Sequence, residues 1–194
     1  MGNSISAATY IGGTVGKVDH ANGWDIDHFT ADYEVSVTNN GTGIIGLGGV
    51  AGGPSTGKLG ASTVNTHAEI QSGTAYVGGV SGYETSTYTT SVTDSVITMD
   101  AELTSETNSY LGGIAGQGRV SATDSNVVLL SNGFETIRPY AGKLMGGQHS
   151  NTLSNYFVYS NADFAEKESG DNTNGLPVCA MLNGATLQRI RPLL

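Results

Sequence analysis

The stretch "YLGGIAGQG", residues 110–118, decides the fold. It places three glycines within five residues, beside the large apolar side chains of Leu111 and Ile114. Glycine loses more conformational entropy on folding than any other residue, so a segment this rich in glycine makes a poor isolated strand or helix. We therefore expect these glycines to meet a packing requirement that a larger residue could not meet.

The same element recurs along the chain. Its copies read "YIGGTVG" (10–16), "GLGGVAG" (46–52), "YVGGVSG" (76–82), "YLGGIAG" (110–116) and, in degraded form, "YAGKLMG" (140–146). The first glycines of successive pairs are 36, 30, 34 and 30 residues apart. The segments between the copies also resemble one another, since "SNVVLLSNGF" (125–134) aligns without a gap with "SNYFVYSNAD" (154–163), 29 residues further on.

A repeat of about 30 residues made of short strands and turns cannot bury its own apolar side chains, whereas stacked copies can. No segment shows the sustained apolar spacing of a helical repeat, and a propeller blade needs about 40 residues. The pattern therefore predicts an all-β fold, a right-handed parallel β-helix (β-solenoid) of about five coils. We expect the repeats to span residues 1–164, followed at 165–194 by a polar loop and a C-terminal capping segment.

Equivalent residues of stacked coils lie about 4.8 Å apart and form ladders. We expect the rings of Tyr76, Tyr110 and Tyr140 to stack in this way. A ladder of glycines beside them would let the chain bend tightly, or let another surface lie flat against it. The predicted structural glycines are Gly12, Gly13, Gly48, Gly49, Gly78, Gly79, Gly112 and Gly113.

The copies "YVGGVSG" and "YLGGIAG" resemble the GLUG motif, a short glycine-rich repeat of bacterial surface proteins that include IgA-protease-type adhesive regions. The resemblance extends from Tyr10 to Gly146, with a fifth copy in which Lys143 replaces the second glycine. It implies a surface-exposed stalk or adhesive segment, extracellular or on the cell surface, and it brings no set of catalytic residues.

Composition excludes several classes of function. The net charge is −9 and the eight basic residues are scattered, which argues against a nucleic-acid partner. The single cysteine, Cys179, excludes an internal disulfide framework and a zinc site built from several cysteines. The start "MGNSISAATYIGG" lacks the features of a signal peptide, and no stretch is long enough for a transmembrane helix, so we expect no membrane insertion.

The stretch "HANGWDIDHF" (20–29) contains the densest group of chemically versatile side chains: His20, Trp24, Asp25, Asp27 and His28. These residue types can bind a metal ion or stack on a sugar ring. However, the two histidines lack the helical spacing of a zinc-protease motif, and the tryptophan could simply close the first coil. A ligand site and a structural role both remain open for this cluster.

Asp94 and Asp124 occupy aligned Asp-Ser pairs 30 residues apart. Two carboxylates about 5 Å apart can hydrolyse a glycoside with retention. However, Asp-Ser is also common in turns, and the aligned position in the next repeat is Leu153.

Two further stretches, "GLGGVA" (46–51) and "GGPSTGKL" (52–59), resemble nucleotide-binding loops, but no helix follows either of them. We therefore assign no catalytic residue, cofactor or metal.

The favoured hypothesis is a non-enzymatic, structural or adhesive repeat module of a surface protein or fibre, with a cell-surface glycan or protein as its ligand. The alternatives are a carbohydrate-active β-helix enzyme, either a polysaccharide hydrolase or a lyase, and a viral tail-spike component. Because the first motif copy begins at Tyr10, little chain precedes it to cover the first coil. We therefore expect that coil to dock on an adjoining module or, head to tail, on another copy of the chain.

Overall fold

Short parallel strands, stacked coil upon coil, make up the described chain. The computed structural model describes residues 8–18, 23–38, 43–83, 85, 87–142 and 144–160. The proposed capping segment 165–194, with Cys179, lies outside these ranges, as does His20. The strands are β1 (Thr9–Gly12), β2 (Trp24–Asp27), β3 (Thr30–Thr38), β4 (Ile44–Gly48), β5 (Gly57–Gly60), β6 (Thr63–Ser72), β7 (Thr74–Gly78), β8 (Ser81–Tyr83), β9 (Thr89–Thr93), β10 (Val96–Gly112), β11 (Ala115–Thr123), β12 (Asn126–Gly142), β13 (Met145–Ser154) and β14 (Phe157–Ser160).

These strands form two parallel sheets. In the first sheet the strand order is β1, β4, β7, β10, β12 and β14. Strand β6 also pairs with β10, and β3 pairs with β6. In the second sheet the order is β2, β5, β9, β11 and β13, with β8 also beside β11. The chain is therefore an all-β parallel solenoid, as the repeat pattern predicts.

The described residues complete four coils, at 30–62, 63–95, 96–125 and 126–156. A partial coil of β1 and β2 precedes them, and β14 begins the next one. The stack agrees with the predicted solenoid of about five coils, since four coils are complete within the described residues and β1 with β2 belongs to a further one. The fifth, degraded copy does take its place in the stack, since Tyr140 and Gly142 pair with Tyr110 and Gly112.

Alternation along each long strand directs apolar side chains into the coil. In β6 the inward positions Val64, Thr66, Ala68 and Ile70 are buried, and the residues that alternate with them point outward. Such alternation is typical of a strand with one buried face. The largest fully buried side chains are Ile45, Leu47, Leu59, Ile97, Met99, Leu103, Leu111, Ile114, Leu129, Leu144 and Met145.

The glycines of the motif are register partners from coil to coil: Gly12 pairs with Gly48, Gly48 with Gly78, Gly78 with Gly112 and Gly112 with Gly142. Within each copy, the strand before the glycine pair and the segment after it lie backbone against backbone. A Cβ atom added at Gly112 would overlap the carbonyl oxygen of Ala115 and approach that of Leu144 to 2.7 Å. Glycine is therefore required by close packing, which explains its density beside large core residues.

Candidate functional site

The two candidate carboxylates, Asp94 and Asp124, lie in the turns that end two successive coils. Asp94 and Asp124 both adopt a left-handed backbone with φ of 50°, and Asn155 occupies the same position in the following coil with φ of 46°. The equivalent of Asp124 is thus Asn155, so the prediction of Leu153 is wrong. Strand β14 pairs with β12 at an offset of 31 residues rather than 29. Both offsets preserve the inward and outward alternation, so the pattern alone could not distinguish them.

The serines that follow Asp94 and Asp124 are buried, and together with Ser62 of the preceding coil they form a hydrogen-bonded ladder. The Ser95 hydroxyl donates to the carbonyl of Thr93 at 2.7 Å and accepts from the backbone N–H of Ser62 at 3.1 Å. The Ser125 hydroxyl likewise accepts from the N–H of Ser95 at 3.3 Å. Asparagine and aspartate tolerate the left-handed conformation better than most residues. Turn geometry therefore accounts for both residues of the Asp-Ser pairs.

The cluster predicted at 20–29 is divided between the core and the surface. Trp24 is buried, and its ring covers Gly57, where an added Cβ atom would overlap the indole. The indole N–H has no hydrogen-bond partner among the described residues. Because its ring packs in the core, Trp24 does not offer a face on which a sugar could stack.

The remaining described members of that cluster are exposed. Asp25 and Asp27 point to the same side of β2, and Asp27 Oδ2 lies 2.9 Å from His28 Nδ1. Over the part of the chain that the structure describes, no three His, Cys, Asp or Glu side chains are grouped so that they could hold a metal ion. The described part of the cluster therefore offers one exposed His–Asp contact rather than an assembled site.

A different group of ionisable side chains meets on the outward face of the long strands β3, β6 and β10. We call it the acidic patch; it consists of Asp32, Glu34, His67, Glu69, Asp100 and Glu102. Strand register places Glu34, His67 and Asp100 in one column, and Glu69 beside Glu102 in the next. Adjacent members of a column lie on neighbouring strands, about 4.8 Å apart. The fold thus brings together residues that are 33 positions apart in the sequence.

Within the acidic patch, His67 Nδ1 lies 3.2 Å from Asp100 Oδ2. The other carboxylate oxygen of Asp100 is buried and has no hydrogen-bond partner among the described residues. Glu69 and Glu102 are both exposed, and like charges on neighbouring strands are destabilising. The patch is therefore a negatively charged, flat surface that a cationic group would stabilise.

The tyrosine ladder forms as predicted. The Tyr76 and Tyr110 rings are 4.5 Å apart and inclined by 8°, and the Tyr110 and Tyr140 rings are 4.6 Å apart and inclined by 6°. Burial raises the pKa of Tyr76 well above its usual value and also raises the pKa of Tyr110. Since the ring of Tyr110 is covered on both faces, the ladder offers ring edges rather than an open stacking platform.

No family model, curated protein or solved structure matches the chain. Within the described ranges no helix has the length and apolar character needed to cross a bilayer.

Proposed function

We propose that the chain is a non-enzymatic repeat module of an extracellular or cell-surface protein, with a structural or adhesive role. The observation that supports this most directly is that repeated residues are used to stack one coil on the next. The glycines pack backbones together, the tyrosines stack on one another, and the buried serines bond from coil to coil. Such a stack is a stiff spacer, and it presents broad flat faces to a partner.

The resemblance of the glycine motif to repeats of bacterial surface proteins points in the same direction. In an adhesive role the acidic patch is the face best suited to a ligand, because its carboxylates lie on one side of a rigid sheet. A basic protein surface, or a glycan carrying amino groups, has the charge that complements Glu34, Glu69 and Glu102.

Localisation is the first test of this proposal. Antibodies against the chain should label intact cells of the organism that encodes it, and proteolytic shaving of the cells should remove the label. Signal that appears only after the cells are lysed would contradict a surface role. Binding to immobilised glycans and matrix proteins should then weaken for Glu102→Gln and persist for Thr104→Ala, a matched change on the same outward face.

A second candidate, cleavage of polysaccharides, is favoured by one observation. Glu69 and Glu102 are neighbours on adjacent strands at about the separation that retaining glycosidases use, and the His67–Asp100 pair lies beside them. If this candidate is correct, the chain releases reducing ends from a polysaccharide that carries amino groups, and Glu102→Gln abolishes that release. The non-enzymatic proposal expects no product from either protein.

A further inference from the structure

The outward face of the first sheet changes from polar to apolar along the stack. One outward column passes through five strands as Asp32, Asn65, Thr98, Val128 and Tyr159. In the next column Glu34, His67 and Asp100 are followed by Leu130. Outward residues of a sheet are ordinarily polar where they face water. The change at β12 and β14 therefore indicates that this part of the face is covered.

We call the apolar part of the face the apolar patch; it consists of Val128, Leu130, Phe157 and Tyr159. These residues alternate with the buried Val127, Leu129 and Val158, so all four side chains point outward. Phe157 is 45% exposed, which no other large apolar side chain among the described residues equals. Neighbouring apolar side chains on an outward face mark a surface on which another segment packs.

Carboxylates border the apolar patch on β10. Asp100 is the register partner of Leu130, and the exposed Glu102 follows two residues later on the same face. The Oδ1 atom of Asp100 is buried and has no hydrogen-bond partner among the described residues. Buried acceptors in folded proteins nearly always have a donor. An occupant of this surface should therefore carry both apolar side chains and a cationic donor.

The sequence after β14 contains a segment with this chemistry. Residues 176–194 read "LPVCAMLNGATLQRIRPLL"; most are apolar, and the two charged residues are Arg189 and Arg191. The segment lies outside the described residues. The stretch 161–175 before it can span up to about 50 Å, far more than is needed to return across two strands about 4.8 Å apart.

We propose that residues 176–194 dock on the apolar patch of their own molecule. Their apolar side chains cover Phe157 and its three neighbours, and one of the two arginines donates to Oδ1 of Asp100. The segment then lies along the side of the last two coils, on the outward face of the first sheet. The inference does not depend on the proposed function, because it concerns how the chain covers its own surface.

Charge and tethering favour this segment over a second copy of the chain. The net charge is −9 and the patch adjoins Asp100 and Glu102, so two copies that met at this face would repel each other. The segment brings two positive charges to the same carboxylates. Because it is joined to β14 through 161–175, it also has a high effective concentration at the patch.

Hydrogen exchange on the full chain tests the proposal. Amides within 176–194 should exchange at least about tenfold more slowly than those of a free peptide with the same sequence. Val128→Lys places a cation in the patch and should remove this protection. Ser121→Lys makes a matched change on the outward face of the second sheet and should retain it. Slow exchange of the β10 amides in both variants shows that the coils remain folded.

Two further measurements test the ionic contact and the position of the segment. Replacing both arginines, with Arg189→Gln and Arg191→Gln, should speed exchange within 176–194 about tenfold at low salt and less at high salt. A nitroxide attached to Cys179, the single cysteine, should broaden amide resonances of β12 and β14 more than those of β9 and β11 on the second sheet.

Three outcomes would overturn the proposal: unprotected amides in 176–194, protection that survives Val128→Lys, and equal broadening of the two sheets. A dimer in light scattering that Val128→Lys converts to a monomer would also overturn it, because a second copy would then cover the patch.

Discussion

Replacing Gly116 with alanine tests whether backbone packing is what the repeated glycines provide. The new Cβ atom would lie 2.4 Å from the backbone nitrogen of Val77 and 2.5 Å from the carbonyl oxygen of Gly82, so the gap must open by about 1 Å to reach an ordinary contact of 3.4 Å. The obstructing atoms belong to the backbone of the preceding coil and cannot rotate away. Overpacking of this kind costs about 3 kcal/mol, and the lower entropy of the unfolded alanine chain returns about 0.4–1 kcal/mol.

We therefore expect Gly116→Ala to lower the free energy of unfolding by about 2–3 kcal/mol, and the melting temperature by roughly 4–12 °C. Gly16→Ala is the matched control, since it changes the same motif position with a closest contact of 3.1 Å. Neither glycine has a left-handed backbone, so backbone strain does not distinguish them. Urea denaturation followed by circular dichroism gives both values. Equal losses in the two variants, or no loss at Gly116, would refute the packing argument.

Three further predictions follow from the ladders and the core. Ser95→Ala leaves the amide of the preceding coil without its buried acceptor and should cost about 1–3 kcal/mol in urea denaturation, whereas Ser91→Ala on the outward face should stay within about 0.5 kcal/mol. Leu129→Ala removes a fully buried side chain and should cost about 2–5 kcal/mol, so a smaller loss would indicate a loosely packed core. Because the folded pKa values of Tyr76 and Tyr110 are raised, their contribution to stability is complete below the ordinary pKa of 10.0 and is lost as the pH rises above it. Melting temperatures should therefore fall above that pH, with tyrosinate absorbance appearing on unfolding; a melting temperature independent of alkaline pH would contradict this.

The repeat identified from the sequence predicts most of the stacking. The glycine copies give the correct register partners, and the tyrosine ladder forms because Tyr76, Tyr110 and Tyr140 hold one position in the motif. The prediction fails where the repeat is irregular. Between Asp124 and Asn155 the coil is longer than the ungapped alignment assumed, and a shift of two residues leaves every side chain on its expected face.

The acidic patch could not be predicted from the same pattern. Its columns join residues on different coils, and outward positions of a solenoid are not required to repeat because they do not pack in the core. His67 and Asp100 become neighbours only when β6 and β10 pair in a particular register. Similarly, the sequence offers Trp24 as a candidate ligand-binding residue, whereas in the folded chain its ring covers Gly57.

By itself, the sequence determined that this chain is a parallel β-solenoid, because glycines repeated at close to one coil length satisfy a packing rule that only stacked coils impose. Tertiary structure alone decided which outward side chains share a face. The register of the outward side chains depends on how many residues each turn contains. Exposed turns can change length without altering the apolar alternation that the sequence displays.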